Sequence, residues 1–193
     1  MFIRLLLVLS QFVLVFPSAF AASNIWEELR HGGHVILIRH ASTDSFTPSV
    51  NPDADFDGCA TQRNLSPQGR SDATRIGRVL RAKRVPMGEV LSGPSCRTQD
   101  TARLAFKQYK VWDELDLLSD FSEEEATLRT ARMNEKIINY RGRKNWVWVT
   151  HQQNIDALIF DLVDPGTMVI LKPHGDNFRV LAKLPLNDPR LGR

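Results

Sequence analysis

The chain has 193 residues, 42% of them hydrophobic and 24% charged, which is the composition of one globular domain able to bury its own core. Twenty-five Lys and Arg against 22 Asp and Glu give a formal charge of +3, with the basic residues scattered along the chain. That balance is too slight to argue for nucleic acid, so no nucleic acid partner is expected, and a small anionic ligand remains compatible.

The first residues carry one cation, Arg4, then an apolar run from Leu5 to Phe16, a break at Pro17 and small residues Ala19 and Ala21 in A-x-A spacing. This pattern reads as a secretory signal peptide over residues 1–21. The run is shorter than the roughly 20 apolar residues that span a bilayer, so no stable membrane insertion is expected after cleavage. A single catalytic domain over 22–193 is expected in the periplasm or outside the cell. Cleavage removes Arg4 and no acid, taking the charge from +3 to +2. In an oxidising compartment Cys59 and Cys96 invite one disulfide. The sequence leaves their pairing, and the oligomeric state, open.

Ile25 to Arg30 reads as a short helix. His31 and His34 flank two glycines with no acid or cysteine at ligand spacing, so the stretch reads as a turn and not a metal site. Val35 to Ile38 is continuously apolar and rich in β-branched residues, the signature of a strand covered on both faces. Ala41 to Leu65 shows no periodicity and forms a long loop, a feature compact domains reserve for function.

Ser66 caps a helix with Pro67 at its first position and Ala73, Ile76, Val79 and Leu80 on one face. Glu89 to Ser92 gives a short strand, "SGPS" a turn, and a helix follows to about Lys107. Ser122 with Glu125 forms a capping box opening a helix to about Tyr140. "WVWVT" at Trp146 to Thr150 is another strand, and Ile155 to Leu162 resumes a helical pattern. "DPGT" turns the chain into strands around Met168 to Leu171 and Arg179 to Lys183. The alternation predicts an α/β fold with a mainly parallel central sheet and helices on both faces.

Three strands lead to chemistry. The first ends at Arg39-His40, the second runs into a turn carrying Arg97, and the third ends at Thr150-His151. In a parallel α/β sheet, ligands sit beyond the carboxyl ends of the strands. Two arginines and two histidines therefore converge on one crevice, and a guanidinium fork fits a pair of phosphate oxygens.

These segments resemble the histidine phosphatase superfamily, the phosphoglycerate mutase-like or acid phosphatase fold. "LIRHAST" is similar to its first signature, and "TQRNLSPQGRSDA" to the segment where Leu-Ser opens a helix. "VLSGPSCRTQDTA" resembles Ser-x-Pro-x-x-Arg-Thr-x-x-Thr-Ala, and "VWVTHQQNIDAL" the strand with the second histidine. The order and spacing agree from about residue 34 to 180. The resemblance implies that His40 is the nucleophile forming a phosphohistidine, and that Arg39, Arg97 and His151 hold the phosphoryl oxygens. Arg63 and Asn64, just before the helix cap, are secondary phosphate ligands on this reading. The proton for the leaving group is expected from Glu114, with Asp116 and Asp113 as alternatives.

An imidazole attacks near neutral pH only through an unprotonated nitrogen, so a backbone carbonyl should hold the other N–H. Guanidiniums and a second imidazole supply the charge phosphoryl transfer needs, so no metal and no cofactor is implied. The expected activity is hydrolysis of a small phosphate ester or a phosphorylated envelope glycan.

The chain departs from the family pattern at Ala41 and Gln152, where glycine is common, and at Phe46, where asparagine is common. The Arg-His-Ala variant, the export signal and the small size are most similar to small exported bacterial members. Two rival readings compete with hydrolysis. The first is a catalytically silent phosphoryl-binding module; the presence of all four core residues counts against it, and an absent proton donor would favour it. A calcium loop would begin at Asp53, Asp55, Asp57 and Gly58, but its twelfth position is Asn64 where an EF-hand needs glutamate. Neither cysteine begins Cys-x5-Arg, which excludes a cysteine phosphatase.

Overall fold

A computed structural model describes residues 24–44 and 58–192. The expected signal peptide, Phe46 and the acids Asp53, Asp55 and Asp57 lie outside the described residues. Among those described, no helix is long and apolar enough to cross a membrane.

A six-stranded sheet organises the chain, with strands β1 Val35–Arg39, β2 Met87–Ser92, β3 Lys110–Val111, β4 Asn145–Thr150, β5 Met168–His174 and β6 Asn177–Leu184 in the order β3-β2-β4-β1-β5-β6. β3, β2, β4 and β1 pair in parallel. β5 runs antiparallel to β1 and forms a hairpin with β6. The sheet is mainly parallel, as the alternating pattern predicts.

Helices α1 Ile25–His31, α2 Pro67–Ala82 and α3 Cys96–Phe106 cover one face, and α4 Glu123–Ile138 and α5 Gln152–Ile159 cover the other. The strands alternate accordingly. Ile36, Ile38, Val147 and Val149 join Ile76 and Leu80 in one core. Val35, Leu37 and Trp148 join Met133, Ile137 and Ile155 in the second. Each central strand is therefore buried on both sides, which is why its sequence reads as an unbroken apolar run.

Ser66 Oγ accepts the Gly69 N–H at 2.9 Å, capping α2 behind Pro67. Ser122 caps α4 in the same way through the Glu125 N–H. The reciprocal half of that box does not form, because the Glu125 carboxylate pairs with Arg129 and Arg132. α5 begins at Gln152, directly after β4, and not at Ile155. Two glycines let backbones touch: a Cβ on Gly69 would stand 1.9 Å from the Ser42 oxygen, and one on Gly77 1.9 Å from the Ala105 oxygen. The first brings α2 against the residue two beyond His40; the second seats α2 on α3.

Candidate active site

β1, β2 and β4 run in parallel, so their carboxyl ends lie on one edge of the sheet. β1 delivers Arg39 as its last residue and His40 next. β2 leads through a short turn into α3, whose second residue is Arg97. β4 ends at Thr150, and His151 is the residue that precedes α5. The His40 N–H donates to the Thr150 carbonyl at 2.9 Å, joining the two strand ends. The His40 and His151 rings meet edge to face, with centroids 5.4 Å apart. The structure thus brings together the four core residues that the sequence singles out.

His40 is buried, and its Nδ1 lies 2.9 Å from the Ala41 carbonyl. A carbonyl only accepts, so Nδ1 carries the proton and Nε2 keeps a free lone pair. Burial, reinforced by the charges of Arg97, Arg39 and Arg63, pushes the His40 pKa down to about 4 against the pull of the Ala41 bond. The ring is neutral at pH 7.

His151 is held the opposite way round. Arg97 Nη2 stands 3.3 Å from its Nδ1. Because a guanidinium only donates, this nitrogen accepts and Nε2 bears the hydrogen. That Nε2 is buried with no partner among the described residues. Burial and then the Arg97 charge lower its pKa to about 2.

The guanidiniums are fixed by the frame around them. Arg39 Nη1 donates to the Val163 carbonyl at 2.6 Å and to Gln152 Oε1 at 3.3 Å. Gln152 Oε1 also accepts the Val163 N–H at 3.0 Å, so the residue standing in place of the common glycine locks Arg39 against the 161–163 segment. Burial lowers the pKa of both Arg39 and Arg97 from the ordinary arginine value. Thr101 ties the two arms together: its hydroxyl donates to the Arg97 carbonyl at 2.7 Å and accepts the Ala41 N–H at 3.1 Å. Thr101 is the second threonine of the Arg-Thr-x-x-Thr pattern, and its place in that pattern is the signal by which sequence reveals it.

The remaining candidates divide. Arg63 is exposed, and its charge acts on Arg39, His40, Arg97 and His151 alike, which places it beside the site. Asn64 works locally, donating from Nδ2 to the Cys59 carbonyl at 2.7 Å. Glu114 is drawn toward α4, where Oε1 lies 2.7 Å from Arg132 Nε and Oε2 3.8 Å from Arg129 Nη1. The acids whose charges reach Arg97 are Asp116 and Asp120. Asp116 Oδ1 accepts from Ser95 Oγ at 3.4 Å, two residues before Arg97. Glu114 is thus turned toward α4, while the carboxylate of Asp116, the alternative from the sequence, bonds the residue that caps α3. Cys59 and Cys96 form a disulfide with Cα atoms 5.7 Å apart.

A family model for the histidine phosphatase superfamily (branch 1) matches residues 35–123. That span includes Arg39, His40 and Arg97; His151 follows it. No curated protein sequence matches the chain. Among solved structures, the chain is similar to the protein histidine phosphatase SixA complexed with tungstate, at 16% identity and a TM-score of 0.52, covering 79% of this chain and 97% of that one. Open reading frame Rv3214 from Mycobacterium tuberculosis aligns at 16% identity and a TM-score of 0.60, with the same coverages. A mutant phosphoserine phosphatase from Entamoeba histolytica, in complex with phosphoserine, aligns at 13% identity and a TM-score of 0.57, covering 80% and 98%. The likeness to these structures is one of fold. The support for the histidine phosphatase superfamily comes from the family model over residues 35–123.

Proposed function

We propose that this chain, on the premise of the histidine phosphatase superfamily, is a metal-independent phosphomonoester hydrolase that forms a phosphohistidine on His40. One observation carries the reading: a buried neutral imidazole, its Nδ1 held by the Ala41 carbonyl, faces a second imidazole and stands among three arginine charges.

The Nε2 lone pair of His40 attacks phosphorus, and the P–N bond forms as the bond to the ester oxygen breaks. The departing oxygen takes a proton, which Asp116 is positioned to give from beside Arg97. Water then gives a proton back to the Asp116 carboxylate as it attacks phosphorus, and the P–N bond breaks, releasing phosphate and restoring the imidazole. Arg39, Arg97 and Arg63 offset the charge spread over the phosphoryl oxygens, and the His151 Nε2–H donates to one of them. Arg39, Arg97 and His151 are already held in a desolvated setting, so charge stabilisation does not depend on a metal.

The tungstate of the SixA complex is an oxyanion, consistent with a fold that takes tetrahedral anions. Protein phosphohistidine and phosphoserine are named for two relatives of one fold, so the fold does not select the leaving group. A small phosphorylated molecule or envelope glycan remains the proposed substrate class. The disulfide supports the reading of an oxidising, extracytoplasmic compartment.

The test is hydrolysis of an aryl phosphate by the mature protein, with and without a chelator, beside His40→Ala. Turnover unaffected by chelator and absent from the variant is expected, with an acid-labile phosphoenzyme on rapid quench. Turnover that persists in His40→Ala removes His40 as nucleophile. A protein that binds phosphate but never turns over is the silent binding module instead.

A further inference from the structure

We infer that the Cys59–Cys96 disulfide and Gln62 act as a strap that positions Arg63 beside Arg97, so that phosphate affinity depends on the cystine remaining oxidised. The inference rests on the functional reading above, and it concerns how one cation of that site is held.

Arg63 lies in a stretch without regular structure apart from a 3-10 turn at Cys59–Thr61. That stretch is nevertheless tied at the residues on either side of Arg63. Gln62 Oε1 accepts the Cys96 N–H at 3.0 Å, one of the N-terminal amides that α3 cannot satisfy within itself. The Gln62 N–H donates to the Cys59 carbonyl at 3.1 Å, and Asn64 Nδ2 donates to the same carbonyl at 2.7 Å. Cys59 is bonded through sulfur to Cys96. Cys96 is the first residue of α3 and Arg97 the second. The residue that anchors the Arg63 segment therefore adjoins the residue that presents Arg97.

Such an anchor has a physical purpose. Arg63 and Arg97 are like charges, and the Arg63 charge lowers the Arg97 pKa after burial has done so. Before an anion arrives they repel, and an exposed arginine on an unanchored loop would swing into water. A covalent link and a hydrogen bond on the preceding side chain hold the cations together in advance. Binding then does not have to supply the ordering of that loop. Reduction would undo this: a dithiol passes two electrons and two protons to the cystine, leaving two thiols on the chain and a disulfide on the reductant.

The experiment is a double-mutant cycle between Arg63→Ala and the pair Cys59→Ser with Cys96→Ser. It is read as KM and kcat for an aryl phosphate and, separately, as calorimetric binding of inorganic phosphate. In the oxidised chain, Arg63→Ala should raise KM and weaken phosphate binding about tenfold, with kcat changed far less. The double serine variant, or wild type treated with dithiothreitol, should show the same loss. Adding Arg63→Ala to it should then change little. Equal and additive losses in both backgrounds would overturn the inference, as would phosphate binding unmoved by dithiothreitol. If the serine pair does not fold by circular dichroism, Gln62→Ala in the disulfide-bonded chain takes its place in the cycle, with the same expectation. Phosphate binding reads the strap even in a chain that hydrolyses nothing, so failure of the hydrolase reading is distinguishable from failure of this one.

Discussion

His40 Nδ1 and the carbonyl oxygen of Ala41 stand 2.9 Å apart, and this contact between consecutive residues decides which ring nitrogen can attack. Burial holds the His40 pKa at about 4 and that of His151 at about 2. The acid limb of kcat/KM should therefore fall near pH 4 and not near the ordinary histidine value of about 6.5. A limb near 6.5 would show that His40 titrates as a solvated ring.

Both folded values lie below the unfolded one, so on acidification the unfolded chain takes up these protons first. The two histidines contribute full stability above about pH 6.5, and it is lost as the pH falls toward about 4 for His40 and about 2 for His151. Thermal melts between pH 7.5 and 4.5 should show Tm dropping through that window. His40→Phe should flatten part of the slope.

Arg97 contributes more than charge. Its Nη2 lies 3.3 Å from His151 Nδ1 and thereby sets the tautomer that turns Nε2–H outward. Arg97→Ala should lower kcat/KM by about 10²- to 10³-fold, the scale of losing a fixed transition-state donor. Arg97→Lys should not restore it, because an ammonium is a point charge without the planar fork. A lysine variant within a few-fold of wild type would mean that positive charge alone suffices.

The parts of this arrangement that sequence reveals are those written into neighbouring residues. Val35 to Ile38 and Trp146 to Val149 are apolar because both faces of the sheet are covered, and the reactive residues follow where those runs stop. Ser66-Pro67 marks a helix start for local reasons. β3 escapes notice because its two residues are exposed at the sheet edge and have no period. The start of α5 is hidden by the polar run Gln152, Gln153 and Asn154, in which Gln152 serves Arg39, Asn154 serves the 114–116 turn and Gln153 is exposed. The antiparallel course of β5 depends on how the chain returns from α5, which no local pattern encodes. Among the acids from Asp113 to Asp120, Glu114 sits in a 3-10 turn and is drawn away by Arg132 on a distant helix, a contact that no local pattern encodes.

That choice of acid has a kinetic signature. Asp116→Asn should leave hydrolysis of an aryl phosphate with a good leaving group within a few-fold, since a phenolate departs without help. With an alkyl phosphate it should cost about 10²-fold or more, the usual reach of a general acid. Glu114→Gln should affect both substrates equally and weakly, because its carboxylate is engaged with Arg132 and Arg129. The reverse ranking on the alkyl ester would return the role to Glu114.

The seating of α2 on α3 can be tested through Gly77. Alanine in a helix interior is favoured over glycine by about 0.8 to 1.0 kcal/mol, so propensity alone predicts that Gly77→Ala stabilises. Against this, the new Cβ would stand 1.9 Å from the Ala105 carbonyl oxygen and 2.7 Å from its carbon. Those are backbone atoms of a buried residue and cannot rotate aside, so the helices must separate. Overpacking of this kind costs about 1 to 3 kcal/mol, and the clash should win. The urea midpoint of Gly77→Ala should fall, while Arg78→Ala on the exposed side of the same helix should leave it unchanged. α3 carries Arg97 near its other end, so the displacement should also lower phosphate affinity. A stabilised Gly77→Ala with unchanged affinity would show that α2 shifts without moving α3.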